Sequence, residues 1–297
     1  MAQSQHTHSL AHLEEAVSVL FCLIDDAYRL LNPRAQRYES IKRLSDSEVL
    51  ALALFQQLRG VESERSFLRD AGRFFSHLFP GVAGLHASSF HRRVRRLRRF
   101  LEPLRRAVVA ELVGEPETLL VDSTLLSVLH PRQVNQSAGF DGAGWVRWGS
   151  FSVYGVKLHL ICATNRVPLS YELTPANVAE VKLTEELVRG AGLEGDLVAR
   201  RLLADLAYRS SEALEETLGE EFGILLVTER SRHHGKRQQV EIAFASLKRE
   251  FRLGETLART LVGLATRIAA KIAAYTYGFY VNRVLGRPQG RIKELWA

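Results

Sequence analysis

The chain has 297 residues, 46% of them hydrophobic and 25% charged, with a formal net charge of +7 and a pI near 9.6. That composition excludes a disordered or fibrous protein and allows a sizeable core, in two domains or in one large domain with an appendage. The basic balance favours a polyanionic partner.

The opening stretch MAQSQHTHSLAHLEE lacks the basic-then-apolar pattern of a secretory signal. Cys22 and Cys162 form no CxxC or Cys/His cluster and read as two buried thiols in a reducing cytoplasm. A cytoplasmic, nucleoid-associated protein is therefore expected. Residues 1–9 are polar and read as frayed. Helical apolar spacing runs from Leu10 to Leu31 and ends at Asn32-Pro33. Ser45-Asp46-Ser47-Glu48 is a capping box that opens a helix to Arg59, stopped by Gly60. A short helix fits 62–76, and Ser88 or Ser89 is placed to cap a helix from Phe90 onward. The first 115 residues thus read as all-helical.

The pattern then changes. TLLVDSTLLSVL (118–129), SFSVYGVKLHLICA (150–163) and VPLSYELT (167–174) predict strands, the last two forming a hairpin turned at Asn165-Arg166. A helix over 178–190 follows, then a short buried strand at 199–205, a helix over 210–218 and a strand at 222–228. A polar loop leads to an amphipathic helix, KRQQVEIAFASLKREF (236–251), and a last helix spans about 257–285. Arg267 and Lys271 interrupt its most apolar stretch, so it predicts a buried or dimer-facing helix and no membrane span. The order of elements predicts an α/β fold, a mixed sheet flanked by helices. The expected divisions are 1–115, a helical DNA-binding region; 116–256, a catalytic domain; and 257–297, a C-terminal helix closing the core or a dimer interface.

Asp122 and Asp205 each follow an apolar run, in LLVDST and RLLADLAY. Both read as carboxylates toward the C-terminal part of a buried strand, where open α/β sheets place their sites; taken singly, each also fits a turn or a cap. Glu241 changes the weighing. On a helical wheel with Arg237 at zero, Lys248 falls at about 20° and Glu241 at about 40°. Phe244, Phe251, Val240 and Leu247 fall at about 340°, 320°, 300° and 280°. The charges form one stripe beside the buried face. A plain surface pair, Arg237–Glu241, is the other reading, and it runs in the less favourable order. Three carboxylates from two strands and a helix suit two divalent cations, Mg²⁺ or Mn²⁺, and phosphoryl transfer on nucleic acid. Asp141 is a spare ligand candidate. His233-His234 could also ligate a metal, but no partner cluster supports it.

These residues resemble the bacterial insertion-sequence DDE transposases, which have an RNase H-like catalytic domain. The resemblance covers most of the chain and is strongest over 118–252. It rests on VDST, on YGVKLHLICATNRVPLSYELTPANVAE (154–180), on LLADLAYRS and on RQQVEIAFASLKREF with its R-x3-E-x6-K spacing. Thirty-five residues separate Asp205 from Glu241, a spacing familiar in that superfamily. The resemblance implies that Asp122, Asp205 and Glu241 are the catalytic, metal-binding triad and that Arg237 and Lys248 contact DNA phosphates near the cleaved end. It further implies terminal inverted repeats and target DNA as partners and a homodimer that holds both ends. The family signature places a Tyr three residues before the Arg; this chain has His234 there, either as a substitute hydrogen-bonding group or as the mark of a subgroup without the Tyr. A structure-selective nuclease or resolvase of the same fold, and a non-catalytic DNA-binding descendant, are the alternatives.

SSFHRRVRRLRRFLEPLRR (88–106) holds eight arginines, including Arg92, Arg93, Arg95, Arg96 and Arg99. Phe90, Val94, Leu97 and Leu101 form its apolar face. Arginine outnumbers lysine throughout the chain, which discounts the signal, yet the density on one helix favours phosphate contact. The helices over 46–59, 62–76 and 90–106 make a candidate helix-turn-helix-like unit. Trp145 and Trp148 flank Arg147 in a Gly-rich stretch that reads as a loop, placed either to stack on an unpaired base or to pack on the sheet.

Overall fold

The computed structural model describes residues 2–34, 42–134, 139–192, 200–209, 212–228, 234–255 and 257–296. In chain order the helices and strands are α1 (Ala2–Leu31), α2 (Asp46–Leu58), α3 (Glu64–Phe74), α4 (Ala87–Leu97), α5 (Leu101–Val113), β1 (Thr118–Leu129), α6 (Pro131–Val134), β2 (Gly144–Trp148), β3 (Phe151–Ala163), β4 (Pro168–Pro175), α7 (Thr184–Gly190), β5 (Arg200–Leu203), α8 (Glu212–Phe222), β6 (Ile224–Val227), α9 (His234–Arg249), α10 (Leu261–Val284) and α11 (Ile292–Trp296). They fall into two compact units. One comprises Met1–Leu112, Arg249–Leu257 and Gly263–Ala297; the other comprises Val113–Lys248 and Ala258–Val262.

The first unit is helical. Helix α1 begins at Ala2, well before the expected Leu10, because no Gly or Pro interrupts its start. It buries Val17, Leu20, Ile24 and Tyr28 at helical spacing. Cys22 lies off that stripe and is exposed, contrary to its expected burial; Cys162 is buried. The capping box forms as expected, with the Ser45 hydroxyl accepting from the Glu48 N–H and the Glu48 carboxylate accepting from the Ser45 N–H. Gly60, at φ +62°, takes the left-handed conformation that lets the chain leave α2.

The arginine-rich segment is not one helix. His86, and neither serine, caps α4, its Nδ1 accepting from the Ser88 N–H. A 3-10 turn at Arg98–Phe100 separates α4 from α5. Pro103 lacks an N–H to bond residue 99 and its ring crowds that carbonyl, which accounts for the break.

Helix α10 is buried without interruption from Ala270 to Phe279. Its Tyr275 ring meets Phe251 edge-on at 5.6 Å, and its Tyr277 hydroxyl donates to the Leu104 carbonyl at 3.1 Å. It therefore contributes to the core of the helical unit. Phe251, expected on the sheet with the rest of the α9 stripe, belongs to this core instead. The chain leaves α9 at Arg249 and Arg252 turns it with φ +51°. Among the described residues no helix is long and apolar enough to cross a membrane.

The second unit is the α/β part. Its sheet runs β2-β3-β1-β5-β6, with β4 also paired to β3. Strands β1, β3 and β4 are antiparallel neighbours, whereas β5 and β6 run parallel to β1. This is the mixed sheet that the order of elements predicts. Leu119, Leu120 and Val121 are all buried, as expected of a central strand covered on both faces. Gly144–Trp148, expected as part of a loop, is the strand β2, paired with the first residues of β3. Its glycines hid a strand whose remaining residues, Trp145, Val146, Arg147 and Trp148, suit a pleated surface. Gly155, where β3 passes the irregularity in β1, comes so close to β1 that a Cβ there would lie 2.1 Å from the Leu126 carbonyl oxygen.

Candidate active site

Register brings the two aspartates level. Leu120 of β1 pairs with Leu203 of β5. Asp122 and Asp205 each lie two residues further along parallel neighbours, so they share one face of the sheet. Asp122 sits in the middle of β1, opposite Leu160 of β3, and not in the C-terminal part of the strand as expected. It nonetheless lies just beyond the parallel pairing, because β5 is short and β1 continues past it. Asp205 caps a 3-10 turn, Leu206–Tyr208, by accepting from the Ala207 N–H at 2.8 Å. Metal ligation and the cap reading are compatible, since the cap uses one oxygen.

Helix α9 brings up the charged stripe. Val240, Ala243, Phe244 and Leu247 are buried. Arg237 and Glu241 form an ion pair at 3.4 Å, with side chains 28% and 45% exposed, a geometry that contributes little to stability. Its electrostatics are more informative. Asp122 accepts a hydrogen bond from the Ser123 N–H at 2.8 Å, which favours its anion. Burial nevertheless pushes its carboxyl up to about 6, with the charges of Asp205 and Glu241 adding to the rise and Arg237 opposing it. Burial holds the Lys248 ammonium below its ordinary range, and the charge of Asp122 works against that shift. Asp122, in mid-strand, is thus within electrostatic reach of Asp205, just past the end of β5, and of Glu241, Arg237 and Lys248 on α9.

A polar cluster lies on the opposite face of β1, behind Asp122. Lys157 donates to the Glu180 carboxylate at 2.6 Å and to the Val178 carbonyl at 2.9 Å. The Ser123 hydroxyl donates to the same Glu180 oxygen at 3.3 Å. His159 stands opposite Ser123 in the β1–β3 ladder, with Nε2 2.9 Å from the Thr174 hydroxyl. Burial brings its pKa down to about 4, so it is neutral near pH 7. Lys157, His159 and Glu180 lie inside the motifs that carry the resemblance, where they have no assigned role. The signal was present in YGVKLHLICA, where Lys157 and His159 place two polar groups on one face of an otherwise apolar strand.

The other predicted residues lie elsewhere. His234 begins α9, but its side chain, that of Trp148, and the whole of His233 fall outside the described residues. The Trp145 ring is 43% exposed and stacks at a tilt on Tyr154, 5.1 Å away. Asp141 is exposed in the turn before β2. In the helical unit, Arg92, Arg95, Arg96 and Arg99 are exposed, Arg99 resting on the Phe100 ring at 4.9 Å. Arg93 is committed to Asp46 at 2.6 Å.

No group of three or more His, Cys, Asp or Glu side chains among the described residues is gathered tightly enough to hold a metal ion, and Glu241 is turned to Arg237. The donor chemistry still suits a hard divalent cation: the groups are carboxylate oxygens. The like-charge repulsion that raises Asp122 is the repulsion a cation relieves.

No curated protein matches the chain. Among solved structures it is similar to the piggyBac transposase in a synaptic complex with hairpin DNA, at 13% identity and a TM-score of 0.47, over 84% of this chain and 69% of that one. The family model described as transposase DDE domain matches residues 114–277. That match takes in more than half of the chain, including Asp122, Asp205 and Glu241, and the chain belongs to the transposase DDE domain family.

Proposed function

We propose that the protein is the DNA transposase of an insertion sequence: it binds terminal inverted repeats, cuts the strands there and joins the freed ends to target DNA. The observation that carries this reading is the register that sets Asp122 and Asp205 level on parallel neighbours, with Glu241 on α9 close enough for its charge to act on the half-buried Asp122. A fold gains nothing from collecting three carboxylates, so such a site points to a function that uses them. Two bound Mg²⁺ or Mn²⁺ ions would supply activation of the attacking water or 3′-hydroxyl and stabilisation of the leaving oxygen.

The chain's own groups do the rest. Asp122 and Asp205, level on parallel neighbours, offer their oxygens from a rigid sheet. Glu241, paired with Arg237 in this structure, would help hold the cation, and Arg237 would then be free to grip a phosphate beside Lys248. Exposed Arg92, Arg95, Arg96 and Arg99 bind the backbone of the element end, and Trp145 stacks on a base at a strand end. Both ends are held together in a homodimer.

Glu241→Gln tests the reading. Loss of a metal ligand removes several kcal/mol of transition-state stabilisation, so strand cleavage should fall by about a thousand-fold or more. Binding to end DNA without metal should persist. Cleavage near the wild-type rate would remove Glu241 from the triad. Cleavage by the wild type without strand joining would favour a nuclease.

A further inference from the structure

We infer that Lys157 is a positioning residue: through Glu180 and Ser123 it braces, from behind the sheet, the strand segment that presents Asp122. The inference rests on the role proposed for Asp122 above. In the β1–β3 ladder Asp122 pairs with Leu160, Ser123 with His159 and Leu125 with Lys157. Side chains alternate along a strand, so Ser123 and Lys157 share the face opposite Asp122. The Lys157 ammonium therefore does not meet a substrate that reaches Asp122 from the front. The side chains of Lys157 and Glu180 are only 12% and 21% exposed, so solvent and salt screen this pair less than a surface pair. Apolar side chains often replace such a pair without loss of stability. Its value here lies in the geometry that it imposes.

The brace can be followed bond by bond. Lys157 donates to the Glu180 carboxylate at 2.6 Å and to the Val178 carbonyl at 2.9 Å, which ties the segment after β4 to β3. Burial alone would raise the Glu180 pKa, but Lys157, helped by the Ser123 hydroxyl, outweighs it and holds the carboxyl below its ordinary range. Glu180 is therefore an anion, which only accepts, and the Ser123 hydroxyl donates to it at 3.3 Å. The Ser123 N–H donates to the Asp122 carboxylate at 2.8 Å. One residue thus links the two faces of β1, its side chain held back by Glu180 and its amide aimed at Asp122. The brace extends to the second aspartate. Ser123 is also hydrogen-bonded to Tyr208, in the 3-10 turn that Asp205 caps, and that turn packs against Glu180–Leu183. Without the ammonium, Glu180 turns toward solvent, Ser123 loses its acceptor, and the amide that orients Asp122 is no longer fixed.

The test follows the full chain by cleavage and by NMR. A duplex carrying the terminal inverted repeat beside the gene is cut in the presence of Mg²⁺. Lys157→Met keeps most of the length of the side chain and removes its charge. Its maximal cleavage rate should fall about ten- to a hundredfold, as for a small misplacement of a catalytic group, while its half-saturating DNA concentration stays at the wild-type value. Lys157→Arg, which keeps the charge, should recover most of that loss. In the metal-free chain the amide proton of Ser123 should move upfield in Lys157→Met, because its hydrogen bond to Asp122 weakens. In a Ser123→Ala background Lys157→Met should cost little more, since the brace is already cut. If Lys157→Met does not fold, Glu180→Gln, of the same size, carries the same comparisons. Cleavage at the wild-type rate overturns the inference, as does a Ser123 amide that stays in place. Equal losses in the two backgrounds overturn it too, because Lys157 would then act by a route other than Ser123. A wild-type chain that does not cut the duplex overturns the transposase reading itself, and the inference falls with it.

Discussion

The two units each bury an ionisable cluster, and they treat it in opposite ways. In the helical unit, the Lys271 ammonium is fully buried and donates to the Glu62 carboxylate and to the Phe251 carbonyl. Arg267 reaches Glu62 at 3.8 Å and Glu64 at 3.3 Å, and His91 meets Glu64 at 3.0 Å. Positive and negative groups alternate. Burial lowers the Lys271 pKa, and Glu62 counters that shift. In the α/β unit, Asp122 is half-buried where its carboxylate neighbours add to the cost of ionisation. A cluster that serves the fold cancels its charges; a cluster that carries chemistry is left uncompensated until a ligand arrives.

The largest expected effect breaks the compensated cluster. Lys271→Ala leaves Glu62 buried without its ammonium and should destabilise the helical unit by about 3–5 kcal/mol, read as a fall in melting temperature. Replacing both partners, Lys271→Met with Glu62→Gln, should recover much of that loss, since removing a buried pair is far milder than orphaning one member. A double variant as unstable as the single one would mean that the pair is needed as charges.

The same operation on the other cluster should have the opposite sign. The Asp122 pKa in the fold lies above its ordinary 3.8, at about 6. The folded chain therefore favours the protonated carboxyl, and ionisation destabilises it. That cost is complete above about pH 6 and vanishes as the pH falls from about 6 toward 4. Asp122→Asn should stabilise the metal-free protein by roughly 2–3 kcal/mol at pH 8 and by almost nothing at pH 4, while abolishing cleavage. Melting curves at the two pH values, in the presence of a chelator, read the difference. A destabilised Asn variant at pH 8 would show that the carboxylate is compensated after all, and the contrast between the clusters would disappear.

How much of this was legible in the sequence depends on the kind of signal. Strand β1 was readable to the residue because its apolar run is long and the capping and turn residues around it are strong. Asp122, Asp205 and Glu241 stand out in the sequence as three motifs in a fixed order, and the β1–β5 register sets the two aspartates level; their role as a triad is part of the proposed function. Strand β2 was missed because glycines at its borders mimic a loop. Phe251 was misplaced because helical periodicity continues past the point where the helix ends. The ends of α4 depended on His86 and Pro103, one an uncommon cap and the other a break inside an arginine-rich run. The compensated cluster was beyond reach: Glu62 and Lys271 are more than two hundred residues apart, and only tertiary structure pairs them.

The smallest effects separate arginines that look alike in sequence. Arg93 lies on the border of the α4 apolar stripe and bonds Asp46 at 2.6 Å. Burial alone would raise the Asp46 pKa, but Lys42 and Arg93 outweigh it and hold the carboxyl below its usual range. Arg93→Ala should therefore lower the melting temperature by an amount equivalent to about 1 kcal/mol and leave the salt dependence of end binding nearly unchanged. Arg95 and Arg96 are exposed, and on a helical wheel they fall within about 60° of Arg92 on either side. Their double alanine variant should melt like the wild type. If both contact phosphates, the slope of log affinity against log salt should flatten by about 1.8, with weaker binding to every DNA sequence alike. A slope unchanged by Arg95 and Arg96 but flattened by Arg93 would move the DNA contact to the inner edge of α4, and the exposed arginines would then be surface charge without a partner.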